Sequence, residues 1–284
     1  MRLPNFGYHF ARWEGSWCRK SYRAALPLVV RLPLRIPGDM AFNVFSYSSE
    51  DSLPEQVRSI RSFLRHVGRP TRFTVVSDGS HSSASIRLLR AIDPAVSVES
   101  SGQHLPPGLP EKFLRYVSIH PTGKQLGLIM SLPRDNEPAL YADSDVLFFP
   151  GAKALTTLAE DHAISAYYLS DCRDDSNDKR IFRSQEEELD PVNTGLLLLF
   201  RKLDWSLAIQ RFRELKSDPT FFTNQTLTHL TMHANGARPL DARRFVLKLD
   251  DQFIYPDRYA SREIVLRHYV NPVRHKLWTR LLWS

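Results

Sequence analysis

The sequence contains few cysteines and no long uninterrupted apolar segment. Cys18 and Cys172 stand without metal-ligand spacing, so no disulfide framework is expected and a reducing cytoplasm is the expected compartment. The most apolar early run, residues 24–37, is interrupted by Arg31 and by three prolines, which makes it too short and too broken to span a bilayer. No signal peptide, internal repeat or low-complexity segment is visible.

The positive charge of the chain is concentrated at its two ends. Of the formal net charge of +7, residues 1–38 carry +6 and residues 262–284 carry +4, which leaves −3 for residues 39–261. A nucleic-acid-binding surface spread over the fold would require basic residues in the central part as well. No nucleic-acid partner is therefore expected.

Residues 1–38 form a basic N-terminal arm that is also rich in aromatic residues. Rings interleaved with Arg and Lys suit the headgroup level of an anionic membrane, and they suit equally well packing onto the rest of the protein. The first alternative predicts a cytoplasmic protein with peripheral contact at the inner membrane surface. The aromatic residues in question are Phe6, Tyr8, Phe10, Trp13, Trp17 and Tyr22.

Strands and helices alternate along the first part of the remaining chain, residues 39–284. Residues 41–48, 72–80 and 95–100 are typical of buried strands. An S-x-x-E capping box at Ser52 and Glu55 predicts the start of a helix that ends at Gly68. This alternation predicts a single α/β domain with a mostly parallel central sheet flanked by helices, and such sheets bind ligands at the carboxyl ends of their strands.

Two carboxylates interrupt the apolar segment EPALYADSDVLFF, residues 137–149. Asp143 and Asp145 fall at or just past the end of a predicted strand, where leaving charges unpaired costs several kcal/mol. They are candidates for binding a divalent cation that holds a nucleotide diphosphate. Alternatively, they are the nucleophile motif of a haloacid-dehalogenase-like phosphatase, or a turn cap with an ordinary ion pair.

The context of the motif disfavours the phosphatase. The phosphatase motif normally stands on the first strand of its domain, whereas here at least two strand–helix units precede it. Such an enzyme also needs a Ser or Thr, a Lys and then an acidic pair further along the chain. Asp250 and Asp251 offer the acidic pair, but no convincing partners lie between.

Four segments in order resemble glycosyltransferase family 8, which has the GT-A (Rossmann-like) fold. The segments are LYADSD, NTGLLLLF, TNQTL and HYVNPVRHKLW, within residues 41–278. The family pattern has Y-x-D-x-D, N-x-G, D-Q-D-x-L and H-x-x-G-x-x-K-P-W. The resemblance implies a metal-dependent, retaining glycosyltransferase that takes a nucleotide-sugar donor, UDP-linked by expectation, and a glycan, lipid-linked or other acceptor.

Some positions depart from the family pattern. Asn224 and Thr226 replace two acids, and Asn271 replaces a glycine. Arg274 stands at the lysine spacing from the motif histidine, while Lys276 copies the end of the motif two residues later. Either residue is a candidate for the diphosphate contact, and loss of the acids is compatible with a catalytically silent relative that binds nucleotide sugar.

The resemblance implies that Asp143, Asp145 and His268 bind Mn²⁺ or Mg²⁺. A neutral imidazole and two carboxylates leave octahedral positions free for two phosphate oxygens and water. Gln225 matches the amide beside the anomeric carbon. Asp190 is a candidate for binding a sugar or acceptor hydroxyl, although an ordinary loop carboxylate explains it equally well.

The remaining candidates are expected on the donor side. Asp78 is predicted to bind ribose hydroxyls or, alternatively, to form an Asx-turn. Asn193 matches a sugar contact, and Gly195 matches a position of close backbone approach. The full set of donor-binding candidates is Ser46, Ser48, Asp78, Lys124, Asp143, Asn193, Gly195, Arg274 and Lys276.

Overall fold

A computed structural model describes residues 6–134, 137–159, 163–173 and 175–279. The elements in chain order are α1 (Phe6–Val29), β1 (Asp39–Ser48), α2 (Leu53–His66), β2 (Arg69–Ser77), α3 (Ser83–Arg90), β3 (Val96–Ser100), α4 (Glu111–Ile119), α5 (Pro121–Met130), β4 (Ala139–Ala142), β5 (Val146–Phe148), α6 (Ala154–Ala159), β6 (Ala166–Ser170), β7 (Val192–Leu199), α7 (Ser206–Glu214), α8 (Thr223–Ala234), β8 (Arg238–Pro239), β9 (Phe245–Val246), β10 (Leu266–His268) and α9 (Lys276–Thr279). Of the predicted regions, residues 1–5 of the arm and residues 280–284 of the domain lie outside the described part.

The main sheet has seven strands in the order β3-β2-β1-β4-β7-β6-β8. Strands β3, β2, β1 and β4 are parallel neighbours, whereas β7 runs antiparallel to both β4 and β6. The predicted α/β fold with a mostly parallel sheet is therefore confirmed. Ser48, Ser77 and Ala142 end parallel strands at one edge of this sheet, which is where such folds bind ligands.

A second, three-stranded sheet adjoins this edge in the order β5-β10-β9. Three residues separate the end of β4 from the start of β5, so the chain passes from one sheet to the other between Ala142 and Val146. In the antiparallel β5–β10 pair, His268 lies opposite Val146. The short connection with its two aspartates thus lies next to a histidine that is more than a hundred residues away in sequence.

Helices cover both faces of the main sheet, because its strands carry apolar side chains on both sides. In β1, Val44 packs with α2 residues in one core, and Phe45 packs with α4 and α5 residues in the other. All eight residues of β7 are buried. Its second half, residues 196–199, is continuously apolar because the strand lies between β4 and β6, with a core on each face.

Helix α2 begins as predicted, but the predicted capping box is wrong. Ser52 precedes the helix without capping it, and its hydroxyl donates instead to the Ser49 carbonyl at 3.1 Å. The Glu55 carboxylate accepts hydrogen bonds from Arg19 on α1, at 2.6 Å, and from the Trp278 indole on α9, at 3.2 Å. A side chain expected to make a local cap therefore joins three helices.

Within the described part of the N-terminal arm, residues 6–38, Phe6–Val29 form the 24-residue helix α1, which packs against α2 and α9. Ala11, Cys18 and Leu26 are buried on its packed face, and the ring of Tyr22 lies 5.2 Å from that of Trp278. Within the described ranges, no helix has the length and apolar character needed to cross a membrane.

Candidate metal and donor site

A cavity of about 1100 Å³ opens at the carboxyl edge of the parallel strands. It is bordered by the β4–β5 connection, the ends of β1 and β10, the start of α8 and one face of α1. Eight of the residues predicted from the sequence line it. They are Ser48, Asp78, Asp143, Asp145, Asn193, Gln225, His268 and Arg274.

Asp143, Asp145 and His268 converge inside this cavity. The Nε2 atom of His268 lies 3.1 Å from Asp145 Oδ1 and 3.6 Å from Asp143 Oδ2. One ligand atom from each of the three residues lies within 4.8 Å of the others, so the group could hold one metal ion. Two carboxylates with one imidazole are a donor set suited to Mn²⁺ or Mg²⁺.

Backbone hydrogen bonds fix the positions of these residues. The Asp143 amide donates to the Gly195 carbonyl on β7 at 2.9 Å, and the Val146 amide donates back to the Asp143 carbonyl at 3.2 Å. The Asp145 carbonyl accepts from the amide of Tyr269, directly after His268, at 3.0 Å. The connection is thus hydrogen-bonded to both sheets.

The charges of the three groups are strongly coupled. Burial raises the pKa of Asp143 to about 6 despite the nearby His268. Burial also opposes ionisation of Asp145, but His268 and Arg274 outweigh it and lower the pKa of Asp145 to about 2. Burial opposes the charged form of His268, yet the two carboxylates raise its pKa above the ordinary value. Without a cation, the imidazolium partly neutralises the site.

Gln125 and Tyr141 orient the Asp143 carboxylate. Its Oδ1 atom accepts from the Tyr141 hydroxyl at 2.6 Å and from Gln125 Nε2 at 2.9 Å. The side-chain oxygen of Gln125, Oε1, accepts in turn from Asn224 Nδ2 at 2.9 Å. Oδ2 is the oxygen that faces His268. Asn224, which departs from the family pattern, supports this arrangement from behind.

Asn193 and Gly195 orient His268. The Asn193 Oδ1 atom lies 3.0 Å from His268 Nδ1 and accepts from the Gly195 amide at 2.8 Å. Since this oxygen accepts, Nδ1 carries the proton, and in the neutral ring Nε2 presents its lone pair to the carboxylates. A Cβ atom on Gly195 would lie 2.1 Å from His268 Cε1, so only glycine leaves room for the ring.

Gln225 lies in a second polar group with Asp171, which the sequence analysis did not identify. Gln225 Nε2 donates to Asp171 Oδ2 at 2.9 Å, and Asn193 Nδ2 donates to the same oxygen at 2.9 Å. Asp171 lines the cavity and directly follows β6. The signal that identified Asp143, an acid at the end of a predicted strand, was therefore also present at Asp171.

The structure places Arg274 and Lys276 in different environments. The Arg274 guanidinium lies in the cavity, 49% exposed, and donates to Asp145 Oδ2 at 2.5 Å. Lys276 is fully buried outside the cavity, and its ammonium donates to the carbonyls of Ile254 and Pro256 at 2.5 and 3.0 Å. Of these two residues, Arg274 is the one positioned to meet a ligand in the cavity.

Of three further candidates on the nucleotide side, one lines the cavity and two do not. Asp78 lines the cavity, but its Oδ1 atom accepts from the Ser80 amide at 2.8 Å, which is the Asx-turn alternative. Lys124 donates to the Asp78 carbonyl at 3.0 Å and supports that turn without lining the cavity. Ser46 is buried beneath α2, where it donates to Gln56 at 2.8 Å.

Tyr47, which the sequence did not single out, lies at the cavity, whereas the predicted residue Asp190 does not. Tyr47, between the two predicted serines, lines the cavity, and among the described residues its buried hydroxyl has no hydrogen-bond partner. Asp190 is exposed and does not line the cavity; its carbonyl accepts from His233 at 3.1 Å. Tyr47 is thus a further candidate for ligand contact, whereas Asp190 lies apart from the metal-binding group.

The acidic pair that a phosphatase would need is not available to the cavity. Asp251 is fully buried and accepts two hydrogen bonds from Arg267, at 2.9 and 2.7 Å. Lys276 lies 3.6 Å from the same carboxylate. Asp251 therefore belongs to a buried ion-pair network and cannot assist Asp143 or Asp145.

The architecture and the site define the GT-A type of fold found in nucleotide-sugar glycosyltransferases. A structure of galactosyltransferase LgtC with donor and acceptor sugar analogs has a TM-score of 0.54 and 16% identity, over 81% of this chain and 87% of that chain. Mouse xyloside xylosyltransferase 1 has a TM-score of 0.53 and 13% identity, over 84% and 99%. The glycosyltransferase GlyE from Streptococcus pneumoniae has a TM-score of 0.52 and 15% identity, over 86% of this chain and 61% of that chain. No family model matches the sequence, and no curated protein sequence matches it.

Proposed function

We propose that this protein is a metal-dependent glycosyltransferase that moves a sugar from a nucleotide diphosphate, UDP by expectation, to an acceptor. The observation that carries the proposal is the convergence of Asp143, Asp145 and His268, beside Arg274, in a cavity at the carboxyl edge of a GT-A-type sheet. The solved relative with donor and acceptor sugar analogs supports the assignment by its fold.

The donor set suits a hard divalent cation, and Asp143, Asp145 and His268 would hold it. The bound cation, Mn²⁺ or Mg²⁺, would bind diphosphate oxygens and stabilise their charge as the sugar leaves. Arg274 then has a second function. Arg274 donates to Asp145 in the structure, and with Asp145 holding a cation the guanidinium would be available to donate to a diphosphate.

Gln225 is the residue we assign to the sugar. Its side chain is held by Asp171 and by the Ser176 carbonyl, each at 2.9 Å from Nε2, and it lines the cavity. A polar side chain fixed on two sides can orient a sugar without large rearrangement. We further propose, from the family 8 resemblance, that transfer retains the anomeric configuration and that the acceptor is a glycan or a lipid-linked molecule.

Calorimetric titration of UDP tests the donor site. We expect binding that requires Mn²⁺ in the wild type and is lost in Asp145→Asn. The matched control is Asp218→Asn, which removes an exposed carboxylate that lies outside the cavity. Equal UDP affinity in both variants, or no binding of any nucleoside diphosphate by the wild type, would overturn the proposal. Turnover of a bound UDP-sugar then distinguishes an enzyme from a silent nucleotide-sugar-binding relative.

A further inference from the structure

Helix α1 has three distinct faces. One packs on α2 and α9, and a second lines the cavity through Tyr8, Arg12 and Arg19. The third carries large apolar side chains that contact little else. Phe10 is 53% exposed, Trp13 64%, Trp17 54% and Leu28 69%. Their spacing places these four on one side of the helix.

A second segment extends this apolar surface. Phe253, Ile254 and Tyr255 are 58%, 41% and 39% exposed, and the Tyr255 ring lies 5.9 Å from that of Phe10. The two segments are also joined by the Tyr255 hydroxyl, which donates to Glu14 at 2.6 Å. We name the surface formed by Phe10, Trp13, Trp17, Phe253 and Tyr255 the aromatic patch. Contiguous apolar exposure of this kind marks an interaction site.

The charge around the aromatic patch is positive. Glu14 is the one acidic residue among residues 1–38, and it is 7% exposed and already accepts from Tyr255. Lys20 is exposed on the same helix, next to Trp13 by its helical position, whereas Arg12 is exposed on the face that lines the cavity. Trp and Tyr prefer the headgroup level of a bilayer, and basic side chains beside them attract anionic lipid. This combination matches a negatively charged lipid surface.

We propose that the aromatic patch docks this protein onto the surface of an anionic phospholipid bilayer. Helix α1 then lies in the interface without crossing it, anchored to the protein by the Arg19–Glu55 pair at 2.6 Å. Since the ring of Phe253 lies 5.0 Å from that of Tyr8, which lines the cavity, docking brings the cavity close to the headgroups. An acceptor carried by a lipid would be presented there; the docking itself does not depend on the proposed activity.

Vesicle co-sedimentation tests the docking. The variant is Trp13→Ala/Trp17→Ala, and the matched control is Ile119→Ala/Leu189→Ala, which removes side chains of similar exposure, 66% and 63%, outside the patch. We expect the wild type and the control to bind phosphatidylcholine vesicles that contain phosphatidylglycerol. The tryptophan variant should partition roughly tenfold more weakly or worse, because two indoles leave the interface. Added salt should weaken wild-type binding.

Three outcomes would overturn the proposal. They are unchanged vesicle binding by the tryptophan variant, equal wild-type binding to pure phosphatidylcholine, and absence of wild-type binding to both vesicle types. If sedimentation velocity instead showed that the wild type self-associates and the variant does not, the patch would be an interface between two copies. UDP titration of the variant keeps the two proposals separate, since neither tryptophan lines the cavity.

Discussion

Gly195→Ala should weaken the candidate metal site without substituting any of the proposed ligands. The new Cβ would lie 2.1 and 2.2 Å from two atoms of the His268 ring and 2.8 Å from Asn193 Oδ1. Ordinary carbon contacts are about 3.5 Å or longer, so the ring must retreat by roughly 1.4 Å. That movement separates Nδ1 from Asn193 and Nε2 from the carboxylates.

We expect two effects of known size. Disturbing the support of a metal ligand typically lowers metal affinity about 10- to 100-fold, and overpacking a filled site destabilises by about 1–3 kcal/mol. Mn²⁺ titration measures the first effect, and urea denaturation without metal measures the second. Gly102→Ala is the matched control, because a Cβ at that position has no neighbour closer than 3.9 Å.

A double variant isolates the cause. If Gly195→Ala acts mainly by displacing the imidazole, adding His268→Ala removes the two shortest contacts and leaves the one with Asn193 Oδ1 at 2.8 Å. The alanine at 195 should then cost much less stability in the His268→Ala background than in the wild type. Wild-type Mn²⁺ affinity in Gly195→Ala would refute the role assigned to this glycine. Destabilisation that adds fully in the double variant would show that the strain lies in the backbone instead.

Three further predictions concern charge. The pKa of Asp143 is raised to about 6 and that of His268 is also raised, so Mn²⁺ affinity should increase from about pH 5 to 8 as both groups lose protons. Calorimetric titration in two buffers should detect the released protons. An Mn²⁺ affinity that does not change with pH would contradict this coupling of binding to proton release. Glu55→Gln should lower the free energy of unfolding by about 1–3 kcal/mol, measured with urea, since the Arg19 guanidinium loses the charge of a carboxylate that is 4% exposed. Unchanged stability would count against the anchoring of α1. Arg274→Ala should weaken UDP binding about tenfold or more, as measured by calorimetry. Lys276→Met should lower the stability of the protein but leave UDP affinity within about twofold. Weaker UDP binding in Lys276→Met than in Arg274→Ala would assign the diphosphate contact to Lys276 instead.

The parts of the fold that depend on local patterns were predictable from the sequence. Val57, Ile60 and Leu64 recur in the sequence at helical spacing, which indicates one buried face of α2, and all three are fully buried. The predicted strand at 41–48 corresponds to β1. Such periodicity reflects which face of an element is covered, and this information is present in each segment by itself.

Predictions failed where a side chain has a distant partner. The spacing of Ser52 and Glu55 fits a cap, but Glu55 bonds to residues 36 and 223 positions away. Similarly, the sequence presented Arg274 and Lys276 as equivalent cations. Only the packing of α9 turns one into the cavity and buries the other against carbonyl groups.

The sequence indicated the proposed ligands of the candidate site but not the residues that support them. Asp143 and Asp145 were recognisable as charges in an apolar segment, and His268 was recognisable from the motif resemblance. Gln125 carries no such signal, because an amide on a helix is common everywhere, whereas Tyr141 stood in the Y-x-D-x-D pattern but was assigned no role. Their role depends on the distance across α5 and β4 to one carboxylate oxygen, which requires the tertiary structure.

The pairing of β5 with β10 determines which sequence changes the site can tolerate during evolution. His268 lies opposite Val146, one residue from Asp145, so the separation of these two ligands is set by main-chain hydrogen bonds. Main-chain geometry is the same for many side chains. Substitutions in the surrounding cores can therefore accumulate without moving the ligands, whereas insertion of one residue in either short strand would shift the register and separate them at once.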